Sequence, residues 1–221
     1  MKIKKNSIIL DAGCGMGGSS IYLSKKYHSQ VLGITISPVQ VKMAEVAAAS
    51  EHAEHVSFIL GDALDMKGLE DESFDMVWSL ESCEQFYDKG LFLREARRVL
   101  KKNGTLMLAT WCSGREEYAG PEARAYRTLC RAFDLPYMPT MNHYSGLLVQ
   151  SGFTALHIMD ISDNVKKSWD IGISAVNAYS FLKILMTAGI RGLLFSRQIK
   201  HMQRAFRNGM VRYGLFIYGK K

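Results

Sequence analysis

The sequence predicts an α/β fold: a doubly wound, seven-stranded, mostly parallel sheet with one antiparallel C-terminal strand and a helical insertion. Three observations predict it. Over residues 1–112, short apolar runs alternate with amphipathic segments, which is how a parallel sheet with crossover helices reads. Beyond Cys112 that alternation stops, and polar, proline-punctuated helical stretches follow. Two late apolar runs then close the chain as a strand pair. No repeat or linker interrupts the pattern, so residues 1–221 read as a single domain with halves 1–112 and 113–221.

The elements follow in order. Strands are expected at Ser7–Ala12, Gln30–Thr35, Val56–Leu60, Phe74–Leu80 and Thr105–Trp111, each a short apolar run. Helices are expected near Gly18–Tyr27, Pro38–His52 and Leu91–Leu100. Ser37 can cap the second helix, and Pro38 suits its first position. Lys101-Lys102-Asn103-Gly104 is expected to close the third, with cations at the negative end of the dipole and a glycine stop. Ser113–Gly120 reads as a loop, Pro121–Phe133 as a helix, and Tyr144–Ser151 as a short helix. Phe153–Ile161 and Val211–Tyr218 form the late strand pair, and two basic helices are expected between them.

Composition narrows the function classes. With 48% hydrophobic and 22% charged residues, the chain is an ordinary globular one, neither disordered nor collagen-like. Four scattered cysteines, Cys14, Cys83, Cys112 and Cys130, form no C-x-x-C pair or Cys/His cluster. No metal site or disulfide framework is therefore expected, and a reducing, cytoplasmic compartment fits. The basic N-terminus lacks the marks of a signal or transit peptide. Asn177, Lys183 and Arg191 break the most apolar stretch, which excludes a transmembrane span. Charge is uneven: residues 166–221 hold 11 basic side chains against Asp170 alone. Together with apolar runs such as Phe181-Leu182 and Leu193-Leu194-Phe195, this suggests weak contact with an anionic membrane surface, or else a solvated face. No aromatic and basic platform for nucleic acid is present.

The strongest signal is Ile8-Ile9-Leu10-Asp11-Ala12-Gly13-Cys14-Gly15-Met16-Gly17-Gly18. An apolar strand ends in an acid, a glycine turn follows, and a helix begins. Such a turn lets backbone approach a ligand and aims N–H groups at it. Gly13, Gly15 and Gly18 also satisfy the dinucleotide G-x-G-x-x-G spacing. A dinucleotide site wants an acid about 20 residues on to hold the ribose. Here that place reads Gly33-Ile34-Thr35-Ile36-Ser37, without a carboxylate.

The arrangement is similar to the first motif of class I S-adenosylmethionine-dependent methyltransferases, whose fold is Rossmann-like. Gly33-Ile34-Thr35-Ile36-Ser37-Pro38-Val39-Gln40 resembles the segment after the second strand in γ-tocopherol methyltransferases and their relatives among natural-product and cyclopropane-forming methyltransferases. Gly61-Asp62-Ala63 resembles the adenine-side motif, and Phe74 through Ser82 the fourth-strand motif. Leu108-Ala109-Thr110-Trp111-Cys112, Asn164 through Trp169 and Arg204 through Tyr213 extend the likeness over nearly the whole chain.

The resemblance implies S-adenosylmethionine as cofactor and transfer of its methyl group to a small, apolar, cyclic acceptor. It implies a cofactor site made of Asp11, Gly13, Cys14, Gly15, Gly17, Thr35, Ile36, Ser37, Gln40, Gly61, Asp62, Ala63, Leu80 and Glu81. In such proteins Thr35 and Gln40 take over the ribose role that an acid plays elsewhere. The cofactor half is 1–112, and 113–221 is the acceptor half.

Two departures stand out. Relatives carry a few dozen helical residues ahead of the glycine motif, whereas six residues precede the first strand here: either the sequence is a piece of a longer chain or that cover is absent, which would leave the cofactor side open to water. Where the family reads Glu-His-Met, this chain reads Glu84-Gln85-Phe86, and Gln85 cannot take a proton at neutral pH. The candidate catalytic residues are Glu81, Gln85 and His143, with Glu84 and Tyr144 as further polar groups. Glu84 also reads as a surface or hydrogen-bonding residue, and His143 as a structural contact. Trp111, Tyr137 and Met138 suit an apolar acceptor pocket, with core packing an equal reading for Trp111, and Cys14 and Cys112 read as small packing residues. Two other readings stand beside the enzyme: a cofactor-binding protein with impaired catalysis, and a nicotinamide-dependent oxidoreductase.

Overall fold

The computed structural model describes residues 3–177 and 198–221. The sheet has seven strands: β1 (Ile8–Ala12), β2 (Gln30–Thr35), β3 (Val56–Leu60), β4 (Phe74–Leu80), β5 (Leu100–Ser113), β6 (Phe153–Asp160) and β7 (Val211–Lys220). Their order across the sheet is β3-β2-β1-β4-β5-β7-β6. β1 pairs in parallel with β2 and β4, β2 with β3, and β4 with β5, while β7 runs antiparallel to β5. The helices are α1 (Gly18–Tyr27), α2 (Pro38–Ser50), α3 (Lys89–Val99), α4 (Gly120–Ala132), α5 (Met141–Gln150) and α6 (Ser162–Asn177), and residues 198–207 are also helical. This is the expected doubly wound, Rossmann-like sheet with its late strand pair.

The chain divides into two compact units. One contains the residues up to Thr110 with Asn142–Met159 and Leu215–Lys221; the other contains Trp111–Met141 and Asp160–Gly214. The apolar runs Phe181-Leu182 and Leu193-Leu194-Phe195 lie outside the described residues. Among those described, no helix is long and apolar enough to cross a membrane.

In the first unit β1 is buried on both faces, with Ile9, Leu10 and Ala12 fully so, as a central parallel strand requires. α2 starts as the sequence predicts: the Ser37 hydroxyl accepts from the Gln40 amide at 3.3 Å, and Pro38 opens the first turn. α3 begins two residues earlier than expected, because the Asp88 carboxylate accepts from the Leu91 amide at 2.8 Å and so caps it. Its buried face is Phe92, Leu93, Ala96 and Val99, at helical spacing. Lys101–Gly104 does not form the expected stop. The helix ends at Val99, and Leu100, fully buried and extended, already pairs with Phe74. The register then shifts before Met76 meets Thr105, with Asn103 left-handed at φ 62°. Lys101 binds Asp75 at 2.9 Å rather than a helix carboxyl end.

In the second unit Trp111 sits edge-on to Phe133, with centroids 5.3 Å apart, and 5.9 Å from Trp169. Met138 is buried, whereas Tyr137 is partly exposed. Trp111 and Met138 therefore pack this unit's own core. Tyr118 stacks on Tyr126 and donates to the Met210 carbonyl at 3.0 Å, tying two distant stretches of the same unit.

Candidate functional site

β1 is where the sheet changes direction: the chain runs outward through β2 and β3 and then returns to β4 on the other side. Ligands of open α/β sheets bind outside the carboxyl ends of the strands at such a point. A cleft of about 570 Å³ lies there. The glycine turn, the ends of β2 and β3, and the loop after β4 line it.

The glycines of the turn have separate duties. Gly13, Gly15 and Gly17 all take positive φ, at 81°, 54° and 82°, where a side chain is strained. A Cβ on Gly13 would collide with Ser82, whose hydroxyl donates to the Ala12 carbonyl at 2.7 Å and so joins the ends of β4 and β1. A Cβ on Gly17 would lie 2.6 Å from the Phe58 ring. At Gly15 it would meet nothing within 4 Å, and Gly15 lines the cleft. Gly18 has open space as well. In a dinucleotide fingerprint the third glycine is demanded by tight helix–strand packing. Here Gly17 carries the tight contact instead.

Asp11 stands behind the turn and does not line the cleft. It is buried, accepting from Ser20 at 2.6 Å and Ser19 at 3.1 Å in the first turn of α1. Burial pushes its carboxyl up to about 6, against the two hydroxyl donors. Cys14 likewise packs inward with Ile21, Ala44 and Phe58, while its amide and that of Gly13 donate to the Ile34 carbonyl at 3.0 Å. Its thiol is pushed up to about 12 by burial, which removes it as a nucleophile.

At the end of β2 the Thr35 hydroxyl donates to Gln40 Oε1 at 2.6 Å. Thr35, Ile36, Ser37 and Gln40 all line the cleft, and Ile36 is 75% exposed there. Gly61, Asp62 and Ala63 join them after β3, with Asp62 Oδ1 accepting from the Leu64 amide at 2.8 Å to shape the turn. On the opposite side Glu81 is held at φ 49°, an uncommon conformation for a non-glycine residue and one concentrated at functional sites. Its amide donates to the Ala109 carbonyl at 2.9 Å. Gln85 lies one turn further on and is exposed to the cleft.

The structure thus gathers Gly13, Gly15, Thr35, Ile36, Ser37, Gln40, Gly61, Asp62, Ala63, Glu81 and Gln85 around one space. Asp11, Cys14 and Gly17 support the turn from behind, and Leu80 is partly exposed beyond the lining. His143 is elsewhere. α5 buries Tyr144 and Leu148 on one face, so the preceding residue points about 100° away, and His143 is exposed. Tyr144 is core, its ring 5.6 Å from Phe216. Glu84 is no surface residue: it is 2% exposed and accepts from Thr110 at 2.6 Å. Leu64, Ser82, Phe86 and Tyr87 also line the cleft, although the sequence does not single them out as site residues. Position in the loop after a strand is the only signal that could have found the last three.

Among the described residues, the lining carries two carboxylates, Asp62 and Glu81, and neither Lys, Arg nor His. Such a cleft favours a cation and disfavours a pyrophosphate. It offers apolar surface at Ile36, Ala63 and Leu64 for a flat base and the Thr35–Gln40 pair for hydroxyls. A nucleoside bearing a sulfonium fits this donor set.

Comparison with known proteins agrees with the geometry. Residues 10–108 match the family described as "Methyltransferase domain". Tocopherol O-methyltransferase, chloroplastic, of Arabidopsis thaliana is 36% identical over 99% of this chain and 64% of its own length. Ajmaline N-methyltransferase of Rauvolfia serpentina is 32% identical over 95% of this chain and 75% of its own. A solved cyclopropane synthase of Mycobacterium tuberculosis superposes with a TM-score of 0.86 at 17% identity, over 100% of this chain and 80% of that one, a likeness of fold. The chain spans under two thirds of the length of the first of these relatives.

Proposed function

Since the chain belongs to the class I S-adenosylmethionine-dependent methyltransferases, in the tocopherol-methyltransferase-like group, we propose that it transfers a methyl group from S-adenosylmethionine to a small, apolar, cyclic acceptor. The observation that carries this reading is the cleft at the β1–β4 switch, with its acidic lining and its hydroxyl-binding pair. Gly13 and Gly15 would bring backbone to the cofactor, Thr35 and Gln40 would hold the ribose, and Ile36, Ala63 and Leu64 would sandwich the base. Glu81 and Asp62 would balance the positive charge. When bound, the cofactor supplies an electrophilic methyl on sulfur. The protein's task is then to align the acceptor and exclude water.

The names of the relatives include a tocopherol O-methyltransferase and an ajmaline N-methyltransferase. A neutral amine attacks with its own lone pair, whereas a phenol must lose a proton. Gln85 has no basicity, so on the loop after β4 Glu81 is the cleft group able to take one. Activity against quinols, phenols and amines separates an enzyme from a binding protein. Calorimetry tests the cofactor: S-adenosylhomocysteine should bind and NAD should not, and the opposite result would overturn the reading. Gln40→Ala should weaken S-adenosylhomocysteine by about 1–3 kcal/mol, the cost of leaving ribose hydroxyls and Thr35 unsatisfied. A cytoplasmic place at a membrane surface, through the basic residues 166–221, completes the proposal. Its expected sign is weak, salt-sensitive co-sedimentation with anionic vesicles, and absence of binding at low salt would remove it.

A further inference from the structure

Behind the loop that carries Gln85 lies a buried polar cluster that the reading above does not use. The 3₁₀ turn Cys83–Gln85 follows β4, and Glu84 points from it into the protein, 2% exposed. Thr110, fully buried on β5, donates to Glu84 Oε2 at 2.6 Å. Lys89, at the start of α3 and also fully buried, donates from Nζ to the Phe86 carbonyl at 2.7 Å and the Glu84 carbonyl at 3.3 Å. Backbone bonds complete the turn, from the Gln85 amide to the Ser82 carbonyl at 3.0 Å and from the Phe86 amide to the Cys83 carbonyl at 3.2 Å. One carboxyl and one ammonium group thus grip the turn from inside, and Gln85, Phe86 and Tyr87 face the cleft from its outside.

We propose that Glu84 is the positioning residue of this cleft wall: anchored by Thr110, with Lys89 holding the carbonyls, it sets where Gln85 and Phe86 stand. Burying such groups is costly unless they are bonded, and these bonds confine the loop to one position. The inference deepens the proposed function and rests on the cleft being the site.

The arrangement has a pH signature. Besides Thr110, the groups facing Glu84 are Lys89 from α3, Glu81 at the head of the loop, and Cys83 with its neighbour Tyr144 from α5. Burial pushes the Glu84 carboxyl up to about 7, Glu81 adds to this, and Thr110 and Lys89 oppose it. A carboxyl raised in the folded turn and ordinary in the opened one holds a proton more tightly when folded. Its contribution to closure is therefore greatest at low pH and declines as pH rises toward and through about 7.

Amide exchange in the ligand-free protein tests this without assuming a ligand. The protection of the Gln85 and Phe86 amides, corrected for intrinsic exchange, should fall about tenfold from pH 6 to pH 8, the opening expected from that displacement. Glu84→Gln keeps the shape and the acceptor for Thr110, and should abolish the pH dependence. Thr110→Val should lower protection at both pH values. Equal protection at pH 6 and 8 in the unaltered protein, or an undiminished dependence in Glu84→Gln, would overturn the proposal. S-adenosylhomocysteine affinity should fall more steeply over the same pH range in the unaltered protein than in Glu84→Gln, where only the Asp11 carboxyl behind the glycine turn still contributes. A wild-type protein that binds no S-adenosylhomocysteine would count against the cofactor assignment, and the exchange result would still decide the role of Glu84.

Discussion

A Gly15→Val variant should fold and lose the cofactor. The Cβ at this position meets nothing within 4 Å, so the new side chain enters the open cleft rather than the core. Holding valine at φ 54° costs about 1–3 kcal/mol, which a domain of ordinary stability tolerates. Filling the space where backbone must approach the ligand is more serious. Affinity for S-adenosylhomocysteine should fall at least about 100-fold, or roughly 2.7 kcal/mol. Calorimetry on protein with an unchanged near-ultraviolet dichroism spectrum measures it. Near-normal binding would place the cofactor away from this turn.

Two residues along the same turn, the consequence is reversed. Gly17→Ala should leave the cleft lining as it is and damage the fold. The added methyl would stand 2.6 Å from the Phe58 ring and 3.0 Å from Ala44, at φ 82°. Phe58 is the ring that β3 places between α2 and the glycine turn, in a cluster with Ile21 and Ala44. Overpacking of this kind costs about 1–3 kcal/mol, and the left-handed backbone adds about 1 kcal/mol for alanine. The melting temperature should drop by roughly 5–15 °C. A drop of a degree or less would mean that the turn has room to shift, and that Gly17 is free to change.

The contrast between these two glycines shows how far the sequence can be read. The element order was legible because parallel strands and crossover helices leave different apolar periods, and because Ser37-Pro38 states its own cap. The exception was Lys101–Gly104. Cations and a glycine after an amphipathic run describe a helix end, but burial of Leu100 and its pairing with Phe74 outweigh a surface preference. The start of α3 was decided by the hydrogen bond of the Asp88 carboxylate, which the sequence reading did not identify as a cap.

The cleft was legible in the same local sense. Each of its motifs sits at the carboxyl end of a strand, so the order of the strands alone brings Gly15, Gln40, Asp62 and Glu81 to one end of the sheet. His143 shows the limit, because a helix face is decided by what the helix packs on, and Tyr144 and Leu148 took the buried side of α5.

By itself, then, the sequence determined the fold class, the glycine turn and the positions at the strand ends, all of which depend on periodicity and on residues next to one another in the chain. Only the tertiary structure decided which glycine faces the cleft and which faces Phe58, that Asp11 supports α1 instead of lining the cleft, and that Glu84 is buried against Thr110. Those outcomes depend on partners 8 to 41 positions away. A local pattern cannot specify them, because burial and the electrostatics that follow from it exist only once the distant segments have packed together.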